Sequence, residues 1–376
     1  APAYPKDLKA RARVNAAMDW FNTGFYHLFG YELCYEQLLD FHKIKDDGAR
    51  AMVIARGKAG ADLKENDFIE RLYVASTHTY MLIFTDDGRC YWLKVHELPQ
   101  AGRATRGKPI VNMFPLIEGE KITVILPIKG YQDDHFVFMA TSLGTVKKTR
   151  LSDFSNPRKA GIIAVDLNEN DFLVGAAITD GQHDVMLFSD AGKAVRFDEN
   201  DVRPMGRAAR GVRGMNLGEG HQVIAMLVAP AEAAEGAEAA VVDENGIAIP
   251  SSVLTATENG YGKRTPIAEY TRHGRGTKGM IAIQTTERNG KVVAAALVSP
   301  EDQIMLITTG GVLVRTRVSE IREMGRATQG VTLINVDEGT RLSGLQRIAE
   351  SDSDEEGADD VEDGEASADP VADQDQ

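Results

Sequence analysis

From about residue 62 to residue 349 the chain alternates short apolar runs with glycine-marked turns, and the alternation repeats every 50 residues or so. Each unit opens on an apolar run, at residues 80–84, 136–139, 185–188, 253–254 and 304–307. A glycine then turns the chain (Gly88, Gly144, Gly192, Gly260, Gly311), and a mixed strand follows, such as Lys193-Ala194-Val195-Arg196-Phe197. A polar loop runs to a second glycine (Gly107, Gly161, Gly211, Gly279, Gly330), spaced 19, 17, 19, 19 and 19 residues from the first. Two more apolar runs complete the unit, for example 280–283 and 292–298. The pattern predicts about four short strands per unit. Continuous apolar runs of this length suit strands covered on both faces. A four-strand repeat of this period is the signature of blades stacked around an axis. The expected fold class is mainly β: a propeller-like array of five complete four-stranded blades plus a partial blade.

The flanks differ. Residues 1–58 read as a short helical N-terminal segment, with Leu8, Val14, Met18, Phe21, Phe25 and Leu28 at roughly helical spacing. Residues 59–349 form the β domain, with an Ala/Glu-rich surface excursion at 229–240. Residues 350–376 hold 13 acids, no base and no aromatic, a composition that predicts a disordered tail. No apolar run approaches a membrane span, and no secretory signal pattern opens the sequence. With only Cys34 and Cys90, no disulfide framework is expected, which fits a reducing cytoplasm. The net charge of −14 argues at first against nucleic acid. Setting the acidic tail aside leaves 43 acids against 42 bases, so a nucleic-acid site would have to be a local basic patch.

The second-glycine loops supply one. Arg103, Arg207, Arg275 and Arg326 each stand four residues before their glycine, and Arg158 stands three before. Arg106, Lys108, Lys159, Arg210, Arg213, Arg272 and Lys278 lie close by. Stacked repeats put equivalent positions on one edge, so these loops predict a belt of arginines interleaved with glycines. Glycine admits close backbone approach and arginine grips phosphate bidentately. Few aromatics lie in the loops, so duplex backbone fits better than stacked single strands. The competing reading is a set of solvated turns. A second basic position, four residues after the first glycine (Lys148, Arg196, Arg264, Arg315, with Trp92 in the first unit), either widens the belt or marks exposed strand residues.

Several runs carry a family resemblance. Phe138-Met139-Ala140-Thr141 with Gly144-Thr145-Val146-Lys147-Lys148-Thr149, Val212-Arg213-Gly214-Met215, Asn259-Gly260-Tyr261-Gly262-Lys263-Arg264-Thr265 and Leu313-Val314-Arg315-Thr316-Arg317-Val318-Ser319-Glu320 resemble the C-terminal domain of the DNA gyrase A protein, over about residues 59–350. The resemblance implies a β-pinwheel, six-bladed in that family, that wraps duplex DNA so that the holoenzyme introduces negative supercoils with ATP. It implies as partners the breakage-reunion domain of gyrase A and the gyrase B protein. It also implies a cytoplasmic, membrane-free setting, no cofactor of the domain's own, and a catalytic tyrosine in a part of gyrase A outside this chain. The topoisomerase IV equivalent, which binds DNA without strong wrapping, is the alternative. Of the family's arginine-rich wrapping motif only Arg56-Gly57-Lys58 corresponds, with Arg56 and Lys58 as candidate contacts. Gly57 lies 31 residues before Gly88, the step from Gly161 to Gly192, while Leu38 stands where its paired turn glycine is expected. The first half of that blade is therefore expected to be absent. In its place, Ala3-Tyr4-Pro5-Lys6-Asp7-Leu8-Lys9-Ala10-Arg11-Ala12 and Asp19-Trp20-Phe21-Asn22 resemble a helical fragment of glutathione transferases, which raises a transferase-related fusion as another reading.

Other motifs carry less. Gly274-Arg275-Gly276-Thr277-Lys278-Gly279 matches a dinucleotide fingerprint, but Met280-Ile281-Ala282-Ile283 after it reads as a strand where the fingerprint needs a helix. There is no phosphate-loop lysine motif and no zinc-ligand spacing. His78, His135, His183, His221 and His273 read as surface or turn residues, and Tyr261 as structural. A protein-interaction propeller with an acidic partner is the remaining reading.

Overall fold

The computed structural model describes residues 50–56, 69–98, 112–117, 119–231, 251–337 and 339–348. Every apolar run that opens a repeat is a strand: Tyr80–Thr85, Phe136–Thr141, His183–Ser189, Ser252–Thr257 and Gln303–Thr308. Each pairs antiparallel with the mixed strand after its glycine: Arg89–Lys94, Thr145–Arg150, Lys193–Asp198, Tyr261–Pro266 and Leu313–Arg317. On its other side it pairs with the repeat's last run: Ile122–Ile128, Leu173–Thr179, Val223–Pro230, Val292–Val298 and Leu342–Ile348. These last runs are the inner strands, and they pack each against the next around a common axis. The molecule is thus mainly β, five blades side by side.

The fourth strand of a blade comes from its neighbour. Ile162–Ile163, Val212–Arg213, Met280–Ile281 and Val331–Thr332 follow the second glycines, and each joins the mixed strand of the preceding blade. Four sheets therefore have four strands, and the fifth has three among the described residues. Repeats 2 to 5 show the expected four strands, one of each four donated backward; among the described residues no such strand follows Gly107 in repeat 1. The donation explains both glycines. In blade 3, Gly192 (φ +76°) offers its carbonyl to the amides of Ala282 and Ile283 at 2.8 and 3.2 Å. The second glycine, Gly279 (φ +74°), brings the donated strand so close that a Cβ there would stand 2.6 Å from the Ala194 carbonyl oxygen. Only glycine accepts both the left-handed backbone and the approach.

The core lies between blades, in layers. Leu82, Phe84 and Cys90 of blade 1 meet Val137, Met139, Leu151 and Phe154 of blade 2. Phe138, Ala140 and Val146 of blade 2 meet Val185, Leu187, Val195 and Phe197 of blade 3. Alternate residues of one strand thus enter opposite layers, which is why the runs are continuously apolar. A single 3-10 turn follows each mixed strand, such as Leu151–Phe154 or Glu199–Asp201, and caps the layer below it.

Two expectations change at the edges. Arg50–Arg56 is a strand, paired antiparallel with Ile69–Ser76 in a two-stranded sheet, so the helical reading fails for this stretch. Its apolar run Met52-Val53-Ile54 finds a pairing edge there, and tertiary pairing overrides a helical pattern. The rest of the N-terminal segment, with its transferase resemblance, lies outside the described residues, as does the acidic tail. The excursion expected at 229–240 begins later: Ala229 and Pro230 end the inner strand of blade 3, and Ala229 is buried.

Candidate nucleic-acid interface

Consecutive second-glycine loops touch along one edge. The amide of Gly276 donates to the Gly214 carbonyl at 2.6 Å, that of Gln284 to Thr328 at 2.9 Å, and that of Asp166 to Ala209 at 3.4 Å. Between the loops of repeats 2 and 3 lies a groove of about 650 Å³ lined by Arg158, Arg207 and Arg89, a cation that the loop pattern did not single out. Arg89 donates from Nη1 to the Ala160 carbonyl at 3.2 Å. It directly follows a first glycine, outside the loop, so only the donated strand brings it here.

The rim cations divide by what they hold. Arg275 donates to the carbonyls of Asp201 (3.0 Å) and Arg213 (3.1 Å), and Arg326 to that of Ile281 (3.3 Å). Each of these two arginines braces its loop to the one before while staying partly in solvent. Arg210 pairs with Asp166 at 2.9 Å, an exposed pair of little net worth. Arg272 is committed inward: its Nη2 lies 2.6 Å from Asp184, which is fully buried, and its Nη1 3.5 Å from Asp198. Arg158, Lys159, Arg207, Arg213 and Lys278 have no carboxylate in salt-bridge range among the described residues. Arg158, Lys159, Arg213 and Lys278 are exposed and Arg207 is half-buried. Arg56 ends its strand, and Lys58, Arg103, Arg106 and Lys108 lie outside the described residues.

The second basic position does not widen this belt. Lys148 and Arg196 are buried, so for these two neither sequence reading holds. Four of the five side chains at this position reach into the turn region of the next repeat, while Arg315 of the last repeat is exposed and donates to Gln303 on its own blade. Trp92 Nε1 donates to the Phe154 carbonyl at 2.9 Å. Lys148 Nζ sits 2.8 Å from Glu199. Arg196 donates to the Ile267 and Tyr270 carbonyls, both at 3.1 Å, and pairs with Asp184 at 2.6 Å. Arg264 comes within 3.8 Å of Glu323. A polar head on a long stem crosses the apolar layer and ties one blade to the next. The strand partner of each is visible only once the repeats are stacked.

Asp180, His183 and Glu199 bring ligand-type atoms within 4.8 Å of one another. The Lys148 ammonium already supplies a cation at that carboxylate. Burial works against the Glu199 charge, but hydrogen bonds from His183 and Lys148 outweigh it and hold the carboxyl down to about 2. The Gly274–Gly279 motif leads into the two-residue strand Met280–Ile281 and lacks the helix a dinucleotide site requires. Tyr261 is half-buried at the start of a strand, with the Arg288 guanidinium 4.9 Å from its ring centre.

A family model described as "DNA gyrase C-terminal domain, beta-propeller" matches residues 79–129, 135–180, 183–230, 251–299 and 302–349. These five segments are the five blades, and they cover more than half of the chain. The chain belongs to the DNA gyrase C-terminal domain family. It is 50% identical over 322 residues to the gyrase A protein of Salmonella typhimurium, covering 86% of this chain and 34% of that protein. It is 50% identical over 295 residues to the gyrase A protein of Escherichia coli K12, covering 78% of this chain and 32% of the relative. The chain thus spans about a third of the length of these relatives. Among solved structures, a DNA gyrase A C-terminal domain matches with a TM-score of 0.60 and 26% identity, over 81% of this chain and 93% of the other. A C-terminal domain of DNA topoisomerase IV matches with a TM-score of 0.68 over 80% and 94%, and at 22% identity it shares the fold. The gyrase resemblance read from the sequence is thereby established. Among the described residues no helix is long and apolar enough to cross a membrane.

Proposed function

We propose that this chain binds duplex DNA along its loop edge, as the C-terminal domain of a gyrase-type topoisomerase. The observation that carries the reading is the run of touching loops whose cations Arg158, Lys159, Arg207, Arg213 and Lys278 lack carboxylate partners among the described residues. Cations left free along a glycine-rich edge suit a phosphate backbone, read with little base discrimination. Arg56, Lys58, Arg103, Arg106 and Lys108 extend the same contact set, with Arg210, Arg275 and Arg326 contributing from their braced positions. In this role the chain cleaves no strand itself. It serves negative supercoiling by a cytoplasmic, ATP-hydrolysing holoenzyme formed with the gyrase A breakage-reunion domain and gyrase B.

Binding of labelled duplexes of unrelated sequence, titrated with salt, tests the reading. The expected result is equal affinity for all sequences, with log affinity falling linearly in log salt. An absence of binding at low salt would sink it. Wrapping is expected to be weak, because Arg56-Gly57-Lys58 supplies few cations where the family motif stands. Relaxed circular DNA ligated in the presence of the chain should show little writhe, and restoring the arginine-rich motif should raise it.

A further inference from the structure

We infer that Lys147 and Lys263 are positioning residues for DNA binding: each grips the main chain of a rim arginine, Arg207 and Arg326, and so sets where its guanidinium meets phosphate. The inference rests on the DNA-binding reading above. The two lysines occupy one position of the repeat, three residues after the first glycine, where the other units have Tyr91, Val195 and Val314. Lys147 is 1% exposed and Lys263 0%. Neither has a carboxylate in salt-bridge range among the described residues. Lys147 Nζ instead donates to the carbonyls of Ala164, at 2.6 Å, and Arg207. Lys263 Nζ donates to those of Gly325, at 2.5 Å, and Arg326.

Burying a cation against carbonyls alone is costly, and an apolar side chain is normally the better occupant of such a site. Val195 fills the equivalent place in blade 3, fully buried, so packing does not require a lysine there. What lysine adds is a grip on two carbonyls, and in both cases one of them belongs to the arginine four residues before the second glycine. Arg326 is held at both ends of its residue: its amide donates to Glu269 at 3.0 Å and its carbonyl accepts from Lys263. Arg275, whose loop lies over Val195, has no lysine beneath it and spends its guanidinium on two carbonyls, those of Asp201 and Arg213, where the lysine-held Arg326 spends one bond, on Ile281. Burial works against the charge of both lysines. Burial first, then the Arg207 charge, pull Lys147 down to about 8, against Asp153 and Asp166. Burial brings Lys263 to about 8 as well, with Glu269 opposing and Arg326 adding to it. A neutral amine still carries two N–H donors for two carbonyls. A pre-set Cα leaves a long arginine less freedom to lose on meeting a phosphate.

The test uses the full chain, with Lys147→Val and Lys263→Val, each alone and combined with Arg207→Ala and Arg326→Ala respectively. Readouts are the thermal midpoint and the salt dependence of binding to a fluorescein-labelled duplex. The expected result is a folded protein whose log–log salt slope is shallower by up to about 0.9 per lost phosphate contact. Each arginine substitution should then add little to its lysine partner's. An unchanged slope in both lysine variants, or full additivity with the arginines, overturns the inference while leaving DNA binding intact. Should the valine variants fail to fold, Lys147→Met and Lys263→Met replace them, and failure of these too assigns the lysines to the fold instead. If the unaltered chain binds no duplex, the DNA-binding reading itself has failed.

Discussion

A Cβ on Gly192 would stand 2.3 Å from the carbonyl oxygen of Ile283, a residue of the next repeat. Gly260 and Ile334 stand in the same relation, at 2.2 Å. Gly311 has the same turn and nearly the same φ, +80°, yet nothing lies within 4 Å of its missing Cβ, because blade 5 has no donated strand among the described residues. The pair separates backbone conformation from steric fit. Gly311→Ala should cost about 1–2 kcal/mol for the left-handed backbone alone. Gly192→Ala should cost distinctly more, since the Ile283 strand must also move. Urea unfolding of the two variants measures the difference, and equal losses would show that the donated strand is not held tightly at Gly192.

Asp184 is fully buried and shared by Arg196 and Arg272, each 2.6 Å away at its shortest contact. Removing the shared carboxylate leaves the buried Arg196 without an anion and Arg272 with only the half-exposed Asp198, at 3.5 Å. Asp184→Ala is expected to destabilise by about 3–5 kcal/mol. Replacing Asp184 and Arg196 together, by Leu and Met, should recover much of that loss, because an apolar pair is often as good as a buried ion pair. Thermal unfolding of both variants checks this, with far-ultraviolet circular dichroism to confirm the strands.

Arg272 and Lys278 lie six residues apart in one loop but face different tasks. Lys278→Ala should leave the melting temperature unchanged and flatten the salt slope of duplex binding by up to about 0.9. Arg272→Ala should do the reverse, lowering stability through Asp184 with little change in slope. Finding the two effects exchanged would show that the anchored arginine is the one that meets DNA.

Acid should weaken the tie between blades 2 and 3. Glu199 is held at about 2, below its ordinary 4.5, so the folded state binds its proton less readily than the unfolded chain. Its contribution is complete above pH 4.5 and is lost as the pH falls from there towards 2. Urea midpoints measured from pH 6 downward should fall across this window. Glu199→Gln should start lower and fall less steeply.

The five repeats, their glycine pairs and the basic loops were legible in the residues, because strand periodicity and left-handed turns are local requirements that the sequence meets locally. The arginines beside the second glycines, four residues before in four repeats and three before in the second, could be placed in the same way. What each side chain touches could not. Lys148 and Arg196 share the alternating, mixed pattern of exposed strand residues, and only stacking one blade on the next encloses Lys148 beside Glu199 and Arg196 beneath the Ile267 and Tyr270 carbonyls. Arg272 and Lys278 are indistinguishable in a basic loop until the distance to Asp184 separates an anchor from a free cation. The backward donation of the fourth strand is likewise invisible in the repeat, since a strand's sequence states that it will pair but leaves open with which edge. Those choices belong to long-range packing, where the energy of a contact depends on a partner tens of residues away in the chain.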